Sequence, residues 1–255
     1  MKVLILAAGE GSRLRPYTED KPKCMVSYKG KPIIKYIFDA LEQVGITDIG
    51  LITGYKNEVL SSYIKENYDN EEIRIYHNPL YSSTNMVYTM FCAEDFFDSD
   101  DDVIISYSDI IYSEKLVRQL AASEEGISVV VDKDWKRLWT ARMDNPLDDA
   151  ETMKLDPRGY IKELGGKPES YAEIEGQYVG LIKISKTMLR EIRDFYYSLD
   201  RNRIYDGKDF NNMYMTSFLQ LLINEGFKVK GVEINGGWLE IDSVEDLKKL
   251  QDYKL

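Results

Sequence analysis

Short apolar runs alternate with stretches of helical periodicity through the first half of the chain, and this alternation limits the fold more than any other feature. Residues 2–7 (KVLILA) read as a buried strand. Residues 32–44 read as a helix: Ile33, Ile34, Ile37, Phe38, Leu41 and Val44 form one stripe, and Pro32 suits the first helical position. Further strands are expected at 48–53, 73–77, 102–107 and 127–131. The helices between them are expected at 57–67 (buried face Val59, Leu60, Tyr63, Ile64), 84–97 (with Ser82 and Ser83 as caps) and 114–122. Strand–helix alternation at this spacing predicts a mixed, mostly parallel sheet covered by helices on both faces, a single Rossmann-like α/β domain. After Asp132 the texture changes. A hairpin is expected from 152–155 and 160–164 around Asp156-Pro157-Arg158-Gly159, then a strand at 178–185 and helices at 186–199 and 213–225. A strand at 228–234 follows, and Ser243 opens a last helix with Asp246 completing a capping box.

The most informative local stretch follows the first strand: Leu6-Ala7-Ala8-Gly9-Glu10-Gly11-Ser12-Arg13-Leu14-Arg15-Pro16, running on to Lys21-Pro22-Lys23. A Gly-rich loop there lies at a strand's carboxyl end, where parallel sheets bind ligands. Gly9 and Gly11 let backbone approach phosphate oxygens, and Arg13 and Lys23 supply positive charge. Position 14 is Leu, so a dinucleotide fingerprint is excluded, and no G-x-x-x-x-G-K-[ST] occurs. The plain alternative is a tight turn beside solvated basic residues; the basic residues at fixed distances weigh against it.

Composition narrows the partners. Forty-four acidic residues against 33 basic ones give a net charge of −11, which argues against nucleic acid and anionic membrane surfaces but not against one nucleotide. His77 is the only histidine, which removes His-rich zinc sites and leaves little room for a catalytic triad; at a strand end it reads as structural. Cys24 and Cys92 are too few for a disulfide framework, and Cys24 has no base near it in sequence to make it a nucleophile. The apolar run at the N-terminus is too short for a signal peptide and no stretch is long enough to span a bilayer, so a cytoplasmic setting is expected.

The spelling L-A-A-G-x-G-x-R-L-x-P-x-T-x-x-x-P-K, from Leu6 to Lys23 and including Thr18 and Pro22, resembles the signature of the nucleotidyltransferases that make sugar nucleotides and CDP-activated small molecules. Later segments (NMVYTMFCAEDF, VDKDWKRLW, NPLDDAET, EIEGQYVGL, MYMTSFLQ) resemble the small cytidylyltransferases that act on phosphocholine, 2-aminoethylphosphonate or phosphoglutamine. The resemblance implies CTP as donor, Mg²⁺ as cofactor and release of pyrophosphate. It implies nucleotide contacts from Leu6, Ala7, Ala8, Gly9, Glu10, Gly11, Ser12, Arg13, Lys23 and Asn85, with Lys23 and Arg13 catalytic. Asn85, at a helix start, is equally a capping residue. One domain over 1–255 is expected, with 1–132 as the nucleotide-binding half and 133–255 as the acceptor-binding half bearing the second metal ligand.

Acidic residues supply the rest. Asp109 follows the strand DVIISY at its carboxyl end, and alternation puts Glu240 and Asp242 on one face of the extended segment Trp238–Asp242. Mg²⁺ takes hard carboxylate oxygens together with phosphates, although Asp109 could equally be a turn residue and Asp242 a helix-start residue. The matching aspartates of the resembled family hold the catalytic metal, which favours Asp109 and Asp242, with Glu240 beside them. Asp98–Asp102 lacks the glycine of an EF-hand loop and reads as a solvated turn. On the acceptor side, Lys167 resembles a second phosphate-contacting lysine and Glu175 and Gln177 an acceptor-side strand. Trp135 offers a ring to a cationic acceptor, although its i, i+4 spacing from Trp139 also suits a packed helix face. Asp148–Glu151 could bind acceptor or be plain loop. The expected reaction is transfer of CMP from CTP to a small phosphate- or phosphonate-bearing amine or amino acid. The alternatives are a hexose-1-phosphate nucleotidyltransferase using UTP or dTTP, and a catalytically dead nucleotide-sensing paralogue. An oligomeric assembly is compatible with each.

Overall fold

The structure, a computed structural model, describes residues 1–68 and 73–255. Among these residues seven strands form one sheet in the spatial order Val229–Ile234, Ile127–Asp132, Gln177–Ile184, Val103–Tyr107, Lys2–Ala7, Ile49–Thr53, Ile73–His77. All run parallel except Gln177–Ile184, which is antiparallel to both its neighbours. The fold is therefore a mixed, mostly parallel sheet flanked by helices, and the antiparallel strand from the second half is inserted between strands of the first.

Burial explains the apolar runs. Lys2–Ala7 is covered on both faces: Val3, Ile5 and Ala7 enter one core cluster, Leu4 and Leu6 the other. Val103–Tyr107 divides the same way, Ile104 to the first cluster and Val103 and Ile105 to the second. The helix Ile33–Val44 buries Ile33, Ile34, Ile37, Phe38 and Leu41 and ends at Gly45, whose φ of 78° gives the left-handed C-terminal turn that glycine makes without strain.

Several expected elements differ in detail. Pro32 caps its helix from an extended conformation and does not take the first helical position. In the helix Asn57–Asn67, Leu60 and Ile64 form the buried seam, whereas Val59, one residue and about 100° round the axis from Leu60, is exposed. The long helix expected at 84–97 is broken into an α-helix, Met86–Met90, and a 3₁₀ segment, Phe91–Asp98, with Ala93 non-helical at φ −116° and ψ 59°. Met90, Phe91, Ala93, Phe96 and Phe97 are all buried, and a regular helix would scatter them round most of its circumference. Asn85, not Ser82 or Ser83, caps this helix. The helix Trp135–Arg142 was signalled only by the i, i+4 spacing of Trp135 and Trp139.

Register sets up the site. Ala7 lies opposite Thr53, and Leu6 opposite Tyr107, so the Gly-rich loop and the Ser108-Asp109 turn emerge side by side at the carboxyl edge. Beyond that edge a two-stranded antiparallel ribbon pairs Ile110–Tyr112 with Trp238–Glu240, and Ile241 donates its backbone N–H to the Asp109 carbonyl at 3.0 Å. The ribbon is anchored by Asp132, which accepts the Trp238 indole N–H at 2.8 Å and the Gly236 N–H at 2.9 Å. Glu240 and Asp242, remote in sequence, are thereby delivered to Asp109.

Candidate active site

The Gly-rich loop holds its shape for local reasons. Gly11 sits at φ +63°, and a Cβ there would lie 2.8 Å from the Lys23 Cβ, so both backbone and space call for glycine. Thr18, fully buried, donates its hydroxyl to the Gly11 carbonyl at 2.9 Å and fixes the turn. A cleft is lined by Leu6, Ala7, Ala8 and Gly9 on one side and by Asn85, Lys23 and Asp109 on others. Asn85 accepts the Met86 N–H at 2.8 Å, so it both caps a helix and faces this cleft. Ser12 and Arg13 sit along the loop's exposed rim, with Glu10 half-buried beside them.

Lys23 is the centre of the charge arrangement. Its ammonium donates to Asp109 Oδ2 at 2.7 Å and to Asp242 Oδ1 at 2.6 Å. Arg13 pairs with the other oxygen of Asp242. Burial works to lower the Lys23 pKa, but Asp109, Asp242 and Glu240 outweigh it and hold the ammonium well above its ordinary value. For Asp242 burial acts upward, yet Lys23 and Arg13 hold its carboxyl below the ordinary range. One carboxylate oxygen from each of Asp109, Glu240 and Asp242 lies within 4.8 Å of the others, the grouping among the described residues that could hold a metal ion. Asp109 Oδ1 is buried without a hydrogen-bond partner. A hard, unpartnered oxygen beside two further carboxylates fits Mg²⁺.

A second cleft opens on the other side of this cluster, with Arg13, Glu240 and Asp242 at one end and Trp139, Glu151 and Gln177 among its walls. Tyr107 lines both clefts, so the carboxylates stand where the two meet. The Trp139 indole N–H is buried with no partner, and the residue lines this cleft. Gln177 is committed to backbone: its amide donates to the Glu151 carbonyl at 2.6 Å and accepts the Glu151 N–H at 3.0 Å.

The structure places the remaining acceptor-side candidates outside the lining of this cleft. Trp135 does not line the cleft; it is 5% exposed and packed edge-on against Trp139 at 5.7 Å, the helix-face role its spacing allowed. Glu175 accepts the Leu155 N–H at 2.9 Å and pairs with Lys154, outside the lining residues. Lys167 is exposed on the loop after the hairpin, also outside them. His77 is exposed and lies outside both linings. The Cys24 thiol is buried and pushed up to about 12 by that burial, which rules it out as a nucleophile at neutral pH. Asp98, Asp101 and Asp102 are spent on Arg193, the N-terminus and Lys183.

One group escaped the sequence reading, and another entered it only within the acidic stretch Asp148–Glu151, read as acceptor-binding or plain loop. Arg142, its side chain 3% exposed, donates to Glu240 at 2.6 Å and to Asp246 at 3.1 Å. It occupies the fourth place of the buried stripe Trp135, Leu138, Trp139, Arg142, and a charged residue in such a stripe signals a buried ion pair. Glu151 is the other: burial, reinforced by Asp149, pushes its carboxyl up to about 7. The unfolded chain titrates near the ordinary 4.5, so below that pH both states carry the proton and folding is not penalised. As pH rises through 7 the folded state must hold a charge its surroundings disfavour, and stability is lost. Glu151→Gln should therefore unfold at about 1–2 kcal/mol higher free energy than the parent at pH 8 and show no advantage at pH 4.5. Urea melts at the two pH values check this; equal differences at both would contradict it.

Comparison with known proteins places this geometry. The sequence profile of the Nucleotidyl transferase family matches residues 2–141. A CTP:phosphoglutamine cytidylyltransferase of Campylobacter jejuni is 51% identical over 252 residues, covering 97% of this chain and 98% of that one. A choline-phosphate cytidylyltransferase of Streptococcus pneumoniae is 41% identical over 95 residues, 37% of this chain and 40% of its own length. Among solved structures, the CTP:phosphocholine cytidylyltransferase of Streptococcus pneumoniae superposes with a TM-score of 0.73, covering 98% of this chain and 97% of that one at 23% identity, which speaks to the fold.

Proposed function

The chain belongs to the nucleotidyl transferase family, and on that premise we propose that it transfers CMP from CTP to a small acceptor carrying a phosphate or phosphonate at one end and an ammonium at the other. Residues 1–132 serve as the nucleotide half; residues 133–255 bring the acceptor side and the second metal carboxylate. An acceptor oxygen attacks the α-phosphorus of CTP in line, the new P–O bond forms as the bond to the β-phosphate oxygen breaks, and pyrophosphate leaves. The acceptor's anionic oxygen is its own nucleophile, so no base or covalent intermediate is needed. The observation that carries the reading is the Lys23 ammonium, held between Asp109 and Asp242 where two clefts meet, beside a loop built to approach phosphates.

Asp109 and Asp242, with Glu240 beside them, would hold Mg²⁺, which supplies charge neutralisation to the triphosphate when bound. The backbone from Leu6 to Ser12 would border the nucleotide, with Asn85 across the cleft. Lys23 stabilises charge developing at the α-phosphoryl group, and Arg13 steadies the departing pyrophosphate. Catalysis is positioning plus electrostatics. On the acceptor side Asp149 and Glu151 would face the ammonium, with the Trp139 ring beside them. The name of the Campylobacter jejuni relative, nearly coextensive with this chain, supports CTP and an acceptor of the phosphorylated amino acid type.

A triphosphate panel tests the donor half. With Mg²⁺ and phosphorylated amines present, CTP should release pyrophosphate at least about tenfold faster than UTP, dTTP, ATP or GTP. Preference for UTP or dTTP would favour the hexose-1-phosphate alternative, and no release with any of them would favour a nucleotide-sensing protein.

A further inference from the structure

Arg142 has no part in the chemistry proposed above, yet it pairs with Glu240 of the metal site and with Asp246 beside it. Its Nη1 donates to Glu240 Oε2 at 2.6 Å, and its Nε donates to Asp246 Oδ1 at 3.1 Å. Asp246 Oδ2 in turn accepts the backbone N–H of Asp242 at 3.0 Å and of Ser243 at 2.9 Å. The same Nη1 lies 3.9 Å from Asp149, which lines the second cleft. One planar fork thus reaches one metal-site carboxylate directly, fixes the backbone of another through Asp246, and touches the acceptor side. An ammonium could not hold the two edges at once.

Charge points the same way. Asp109, Asp242, Glu240, Asp246 and Asp149 are five carboxylates, and the cations paired with them are three: Lys23, Arg13 and Arg142. Anionic groups therefore outnumber the cations paired with them. A guanidinium serving only to cap the last helix would need Asp246 alone.

We propose that Arg142 is the positioning residue of the metal site, holding Glu240 and Asp242 at their spacing from Asp109 and linking them to the acceptor cleft through Asp149. The proposal rests on the metal reading above, so its test measures metal binding and not only turnover. Binding of Mn²⁺ would be followed by the electron paramagnetic resonance of the free ion, with α,β-methylene CTP as a non-reacting nucleotide. Arg142→Lys keeps the charge and loses the fork. It should weaken Mn²⁺ binding about tenfold and raise the Mg²⁺ concentration for half-maximal rate similarly, while metal-free analogue binding stays within about twofold. Arg142→Met with Asp246→Asn removes one charge of each sign and keeps an oxygen to accept the Asp242 N–H. It should lose Mn²⁺ affinity to the same degree, and it decides the matter if Arg142→Lys does not fold. Either folded variant binding Mn²⁺ within twofold of the parent would overturn the proposal. A parent that binds no Mn²⁺ would overturn the metal reading, and the proposal with it.

Discussion

Asp109→Asn and Asp242→Asn should each lose at least about 100-fold in kcat at saturating CTP and Mg²⁺, while still unfolding cooperatively. Each change removes a hard anionic ligand and keeps the side chain's size, so packing is nearly conserved and the electrostatics are not. The loss corresponds to about 2.7 kcal/mol of transition-state stabilisation. The two variants should differ in stability. Either substitution leaves Lys23 with one carboxylate, but Asp242→Asn also leaves Arg13 without its partner. Asp242→Asn should therefore melt lower. Turnover of either variant within a few-fold of the parent would remove that carboxylate from the metal site.

Lys23→Ala should reduce kcat by about 100- to 1,000-fold and change the KM for CTP much less. The ammonium is buried, held at 2.6–2.7 Å by two carboxylates, and kept charged by them, so it is preorganised to meet charge that develops only in the transition state. Arg13, on the exposed rim, should act more on binding: Arg13→Ala is expected to raise the KM for CTP about tenfold with a smaller effect on kcat. A Lys23→Ala enzyme that loses only KM would make Lys23 a binding residue.

The Gly-rich loop was legible in the sequence because its determinants are contiguous. Gly11, Thr18 and Lys23 fall within thirteen residues, and their spacing is imposed by one turn, so the chain spells the geometry directly. Asp109 and Asp242 were legible as candidates at the ends of extended segments, although their meeting depends on a ribbon pairing that no local pattern states. The lining of the second cleft was harder. Trp135 and Glu175 carry suitable chemistry, but tertiary packing spends the first on Trp139 and the second on the Leu155 amide and Lys154. Glu151 and Trp139 take their places in the cleft. Arg142 had a signal that went unread, a charge on an apolar helical stripe. The break in the expected helix at 84–97 also had a signal, since Thr, Asn, Val, Tyr, Phe and Cys there are weak helix formers, and Phe91 stacks on Phe97 and Tyr196 where the helix breaks.

A competition assay tests the central claim most directly. Phosphorylated glutamine, phosphocholine, 2-aminoethylphosphonate and glucose 1-phosphate would be offered together at equal concentration with CTP and Mg²⁺, and the products resolved by ³¹P NMR. The account predicts that a CDP-linked amine or amino acid, or the CMP-phosphonate, dominates by at least about 100-fold in kcat/KM over CDP-glucose, with one pyrophosphate per product. Equal or faster consumption of glucose 1-phosphate would contradict it.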